Sequence, residues 1–138
     1  MLKYLKNALA FSSLALALFL AGCSASEYGD LGLVTGTVTL DGEPYPNAEI
    51  TFAPQTGRPS SGMTDEQGHY QLRYIRETMG ALPGEHRVRI STTPPLRDPS
   101  YRGPAFKDPI PAKYNRRTEL TAMVEKGPNT FDFDLKSK

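Results

Sequence analysis

Cys23 is the only cysteine among 138 residues, and its setting gives the thiol more meaning than a lone core cysteine has. Leu20, Ala21 and Gly22 precede it, closing an apolar stretch from Ala8 to Ala21 that follows Lys3 and Lys6. A cationic start, a short apolar run and small residues before a cut form a secretory signal. Spanning a bilayer takes ~20 apolar residues, so this run is too short for a membrane helix. The other reactive side chains are scattered. His69 and His86 are the only histidines, and neither has a second ligand at metal-pair spacing. His86 is in phase with Val88 and Ile90 at a strand entrance, where a partly exposed imidazole is expected. Asp132 and Asp134 share one strand face and Asp65 with Glu66 sits on a turn, but calcium needs about six to eight oxygens and no calcium-loop pattern supplies them. Solvated outward carboxylates are the expectation. No G-x-S-x-G elbow and no phosphate-cradling glycine loop occurs. The chain is therefore expected to be no enzyme and to need no cofactor or metal.

Leu20-Ala21-Gly22-Cys23 resembles a bacterial lipobox. The resemblance implies that the Cys23 thiol takes a diacylglyceryl group, that a peptidase cuts before it, and that the new amine is acylated, palmitate being a typical chain. Residues 1–22 are then signal peptide, 23–32 lipidated cysteine and tether, and 33–138 the domain. Two or more acyl chains, at ~0.8 kcal/mol per buried methylene, hold a protein firmly at a membrane. The expected site is the bacterial cell envelope, at the outer membrane or the periplasmic face of the inner one. Ser24 is compatible with outer-membrane sorting.

A lipidated Cys23 leaves the domain without a thiol, which excludes disulfides, Cys-ligated zinc and cysteine nucleophiles together. Stability must come from one apolar core. Without Lys3 and Lys6, the 16 basic residues fall to 14 against 15 acidic ones. A near-neutral domain argues against nucleic acid as partner. With 12 Gly, 12 Pro and no Trp, the chain is rich in turns and poor in helix formers.

Period-two alternation recurs from Val34 onward. Val34, Gly36, Val38 and Leu40 face one way, with Thr35, Thr37 and Thr39 opposite, and Asp41-Gly42 supplies a turn. Ala48, Ile50 and Phe52 form a second strand that Pro54 ends. Residues 56–61 read as loop, and 62–64 as a short strand before the turn Asp65-Glu66-Gln67-Gly68. Tyr70, Leu72 and Tyr74 point one way. Val88 and Ile90 face in while Arg87 and Arg89 face out. Leu120, Ala122 and Val124 precede a final strand with Phe131, Phe133 and Leu135, joined by a hairpin over residues 126–129. About seven strands at this spacing predict an all-β, antiparallel Greek-key sandwich, prealbumin-like or immunoglobulin-like.

The run Val34-Thr35-Gly36-Thr37-Val38-Thr39-Leu40-Asp41-Gly42, with Pro46-Asn47-Ala48 and Ile50-Thr51-Phe52, resembles the opening of carboxypeptidase regulatory-like domains. Thr64-Asp65-Glu66-Gln67-Gly68-His69-Tyr70 and Pro83-Gly84-Glu85-His86-Arg87-Val88 fit the same pattern. The endings Ile110-Pro111-Ala112-Lys113-Tyr114-Asn115 and Asn129 to Leu135 look like those of small planctomycete lipoproteins. The resemblance implies a transthyretin-like sandwich without catalysis. It also leaves a rival open: a small-ligand carrier or a hydrolase of the hydroxyisourate type. Tyr101-Arg102-Gly103 matches the Y-R-G of those hydrolases, but it lies mid-chain with no histidine nearby.

The segment from Pro94 to Asn115 holds six prolines with Tyr101, Phe106 and Tyr114. Loops this long in compact domains commonly bind something or move. Arg97, Arg102, Lys107 and Lys113 outnumber Asp98 and Asp108, and Arg116 with Arg117 extends the basic character. Arg97, Tyr101, Arg102, Phe106, Lys107, Arg116 and Arg117 are the candidate contacts for an envelope protein or glycan. The competing reading is a loop that wraps the sandwich edge and blocks strand addition.

Overall fold

The computed structural model describes residues 29–138. Leu20, Ala21, Gly22 and Cys23, and with them the expected signal and anchor, lie outside the described residues. Among those described, the alternating segments become β1 (Gly32–Leu40), β2 (Glu43–Pro44), β3 (Ala48–Pro54), β4 (Ser60–Met63), β5 (His69–Gln71), β6 (Arg73–Ile75), β7 (Thr78–Met79), β8 (Gly84–Thr92), β9 (Thr121–Val124), β10 (Gly127–Thr130) and β11 (Phe133–Leu135), with one 3-10 turn at Ala112–Tyr114. They form two sheets. In the first, β1 pairs with β5 and β2 in antiparallel fashion and with β10 and β11 in parallel. The second is antiparallel throughout, in the order β7-β6-β4-β3-β8-β9.

The expected all-β sandwich is what the chain builds, and its core is the set of inward positions read from the alternation. Val34, Val38, Ile50, Phe52, Leu72, Val88 and Ile90 are fully buried, with Val124 and Leu135 nearly so. Each such side chain contributes ~1.5–3 kcal/mol relative to exposure. Phe52 of the second sheet joins the layers, its ring lying 5.6 Å from Phe131 and 6.3 Å from Phe133.

The strand count exceeds seven because the strand expected over residues 70–74 is broken between layers and because the short β2, β7 and β10 are added. Tyr70 and Leu72 face inward as read, yet β5 belongs to the first sheet and β6 to the second. The chain changes layer at Leu72, whose N–H donates to the Val34 carbonyl while its own carbonyl accepts from Gly80. Ser60 and Ser61 belong to β4 rather than to the preceding loop, because Ser60 pairs opposite Phe52 and is buried there.

The hairpin expected over residues 126–129 is a crossover instead. β9 stays with β8 in the second sheet, whereas β10 runs beside β1 in the first. Asn129 locks the crossing: its Oδ1 accepts the Glu125 N–H at 2.9 Å, and its Nδ2 donates to the Glu125 and Gly127 carbonyls at 2.8 and 2.9 Å. Gly32 makes room for it, since a Cβ there would lie 2.2 Å from the Glu125 carbonyl oxygen. Two turns were legible. Asp41 and Gly42, at φ 53° and 87°, close the β1–β2 hairpin with both central residues left-handed, the type I′ geometry that matches strand twist. Asp65 Oδ1 accepts the N–H groups of Gln67 and His69, both at 2.9 Å, so the T-D-x-x-G pattern is a self-satisfying turn.

Candidate functional site

The proline-rich segment is fastened by the Asp108 carboxylate. Asp108 Oδ2 accepts the Thr92 N–H at 3.1 Å and Oδ1 accepts the Ile110 N–H at 2.9 Å. Asn115 Nδ2 donates to Asp108 Oδ2 at 3.4 Å and to the Ile110 carbonyl at 3.2 Å. The bond from the Ile110 N–H to Asp108 Oδ1 is an Asx turn, a short-range device that Asp108-Pro109-Ile110 offers openly. It delivers Ile110 into the core at 2% exposure. The segment's far end is tied by the Thr118 hydroxyl, which donates to the Val88 carbonyl at 2.6 Å.

Between these anchors, residues 97–104 close on themselves. The Arg97 guanidinium lies 4.8 Å from the Tyr101 ring centroid and donates to the Pro104 carbonyl at 3.0 Å. Arg102 donates to the Pro99 carbonyl at 3.0 Å. Asp98 accepts the Ser100 hydroxyl and, at 2.7 Å, the Ser100 N–H, and these two bonds hold its carboxyl below the usual range. Two of the basic candidates thus build the turn. Lys107, Arg116 and Arg117 are exposed, and Phe106 is half-buried where two shallow concavities of about 500 and 480 Å³ meet. Leu96 is fully exposed and Tyr101 is 49% exposed.

The histidines lie far from an active-site arrangement. His69 is exposed, with Nδ1 3.9 Å from Asp65. His86 is fully buried, not partly exposed as its strand-end position suggests. Leu82 folds back over that end of β8, and His86 Nε2 donates to its carbonyl at 2.7 Å. The ring packs 5.8 Å from Phe52. The outward carboxylates are tied up as acceptors: Asp132 takes the Thr37 N–H at 2.8 Å and Asp134 the Thr39 hydroxyl at 2.6 Å. Among the described residues no group of three His, Cys, Asp or Glu is arranged to hold a metal. None of the described helices is long and apolar enough to cross a membrane.

A second surface was missed. On the outer face of the second sheet, Arg58, Arg73 and Arg76 line a groove of about 590 Å³ with Glu49, Ser61 and Gln71 also in its wall. Arg73 stands in the outward phase of its strand, a signal the sequence carries. The approach of Arg58 from the β3–β4 loop and of Arg76 from the β6–β7 turn depends on strand order.

No family model matches the chain, and no curated protein does. Among solved structures, it is similar to a DUF3823 family protein from Parabacteroides merdae, with a TM-score of 0.43 and 16% identity over 75% of this chain. The chain spans 45% of the length of that protein. A likeness of this size assigns no activity.

Proposed function

We propose that this chain is a non-catalytic, lipid-anchored envelope protein whose carboxypeptidase regulatory-like sandwich is an interaction module. Cys23, acylated after cleavage, ties it to the membrane, and the 94–117 segment meets an envelope partner, protein or glycan. The observation that carries the reading is an ordered projection. Arg97 and Arg102 brace a turn that holds Leu96 and Tyr101 out in solvent, while Asp108 and Thr118 fasten its flanks. An apolar and aromatic surface already fixed in shape loses little entropy when a partner arrives.

Two measurements test this. Mass spectrometry of the mature N-terminus is expected to find Cys23 first and carrying lipid; Met1 still attached overturns the anchor. Cross-linking in intact envelopes, comparing the native chain with a Leu96→Ser, Lys107→Gln, Arg116→Gln, Arg117→Gln variant, is expected to lose the partner with the melting temperature unchanged. Identical cross-linked species in both overturn the contact surface. The variant spares Arg97 and Arg102 because they hold the turn together.

A further inference from the structure

We propose that the arginine-lined groove on the outer face of the second sheet binds a carboxylate-bearing polysaccharide. Strand register sets the pattern. Arg73 pairs across to Ser61, Ser61 to Thr51, and Thr51 to Arg89, so the four positions form one row over β6, β4, β3 and β8. At ~4.8 Å per strand, the two arginines of the row are about 14 Å apart. Arg87, two residues from Arg89 on the same exposed face, extends the cationic end.

The groove beside Arg73 is built rather than incidental. Gly62 lets the layers close beneath the groove: it pairs opposite buried Ile50, and an inward Cβ there would lie 2.3 Å from the Gln71 carbonyl oxygen of the first sheet. Arg58 Nε donates to the Tyr74 carbonyl at 3.2 Å, which fixes the guanidinium and leaves its two terminal nitrogens without a partner among the described residues. Arg76 stands at φ 49°, a left-handed backbone that glycine adopts freely and arginine does not. Backbone strain of this kind persists where the surrounding structure enforces it, and it concentrates at binding sites.

Cations outnumber anions on this face, and none of its arginines is ion-paired among the described residues. Glu49 is the carboxylate in the groove, Glu77 follows Arg76 in the turn, and Glu85 lies further along β8. The two ion pairs among the described residues, Asp65–His69 and Asp30–Lys126, are elsewhere. Planar guanidinium forks pair with carboxylates in bidentate fashion. Between the cations of the row, Ser61 and Thr51 offer hydroxyl groups suited to sugar hydroxyls, and Gln71 of β5 adds an amide at the groove wall. A repeated anion at intervals engages both ends of such a row at once, which a single small anion does not. Nucleic acid fits less well, because binding of single strands draws on successive aromatic platforms and the groove has one half-buried tyrosine, Tyr74.

The envelope reading supplies only the source of such a polymer, so binding by the purified chain stands or fails without the anchor. The full chain in detergent micelles is titrated calorimetrically with polygalacturonate and with its methyl ester, which keeps the sugar backbone and caps each carboxylate as a neutral ester. The acid is expected to bind and the ester to bind at least about tenfold more weakly. Arg73→Gln with Arg76→Gln is expected to lose about tenfold or more, and Lys136→Gln with Lys138→Gln less than about twofold. Arg76→Gly is expected to bind more weakly while melting higher, a split that a purely structural arginine does not give. Absence of binding to the acid, equal binding of the ester, or equal loss in both double variants overturns the proposal. So does displacement of polygalacturonate by single-stranded DNA or phosphatidylglycerol vesicles at lower concentration.

Discussion

The Tyr70 hydroxyl donates a 2.7 Å hydrogen bond to the Phe131 carbonyl, at the point where β10 ends and β11 has not begun. That carbonyl lies directly over Gly36, with a Cβ at position 36 placed 1.8 Å from its oxygen. Phe131 in turn donates its N–H to the Thr35 carbonyl at 2.9 Å. The C-terminal chain is thus riveted across β1 where its parallel pairing is interrupted, and Tyr70 satisfies a carbonyl that the ladder leaves unpaired.

Gly36→Ala is expected to cost about 3 kcal/mol, because the clash is with backbone and not with a side chain free to rotate. Chemical denaturation should show a lower midpoint at constant slope. A midpoint equal to that of the native chain contradicts the close approach.

Burial and the Asp132 charge raise the Tyr70 phenol well above its ordinary value of 10.0. A proton held more tightly in the folded state gives stability that is complete below about pH 10 and fades as pH climbs toward the folded value. Tyr70→Phe is expected to be less stable by ~1 kcal/mol at neutral pH from the lost bond. It should also show a shallower loss above pH 10 than the native chain, and parallel pH curves for the two proteins would refute this.

Asp108→Ala removes the acceptor for Thr92, Ile110 and Asn115. The expected loss is ~2 kcal/mol, since bonds to a charged acceptor are worth more than neutral ones. Limited proteolysis should cut residues 94–107 faster, as the segment loses its clamp. An unchanged cleavage rate would show that Ile110 burial alone holds it.

His86 must carry its proton on Nε2, because the Leu82 carbonyl can only accept. Nitrogen NMR is expected to report a protonated Nε2, while Nδ1 is without a partner among the described residues. His86→Ala leaves a carbonyl unpaired and a void beside Phe52, with an expected cost of ~3 kcal/mol. A stability within measurement error of native would place the ring outside the core.

The candidate surfaces were legible unequally. The charge and aromatic content of residues 94–117 stood out in the sequence, and the Asx signature of Asp108 was there to be read. That Arg97 and Arg102 turn inward on their own loop was not, since their acceptors are backbone carbonyls that any residue provides. Arg58, Arg73 and Arg76 look unrelated along the chain. They meet because β3, β4 and β6 are consecutive neighbours in one sheet.

Alternation by itself determined which side chains are buried: Val34, Val38, Ile50, Phe52, Val88, Ile90 and Leu135 all lie where the period of two places them. Turn chemistry fixed Asp41-Gly42 and Asp65 to Gly68, because left-handed backbone and local side-chain bonds are decided within a few residues. Partner choice was decided only in three dimensions. The layer change at Leu72, the parallel pairing of β1 with β10 and β11, the crossover at Asn129 and the burial of His86 all depend on distant segments competing for the same edge. A period of two says which face of a strand meets the core, and it carries no information about which strand lies beside it.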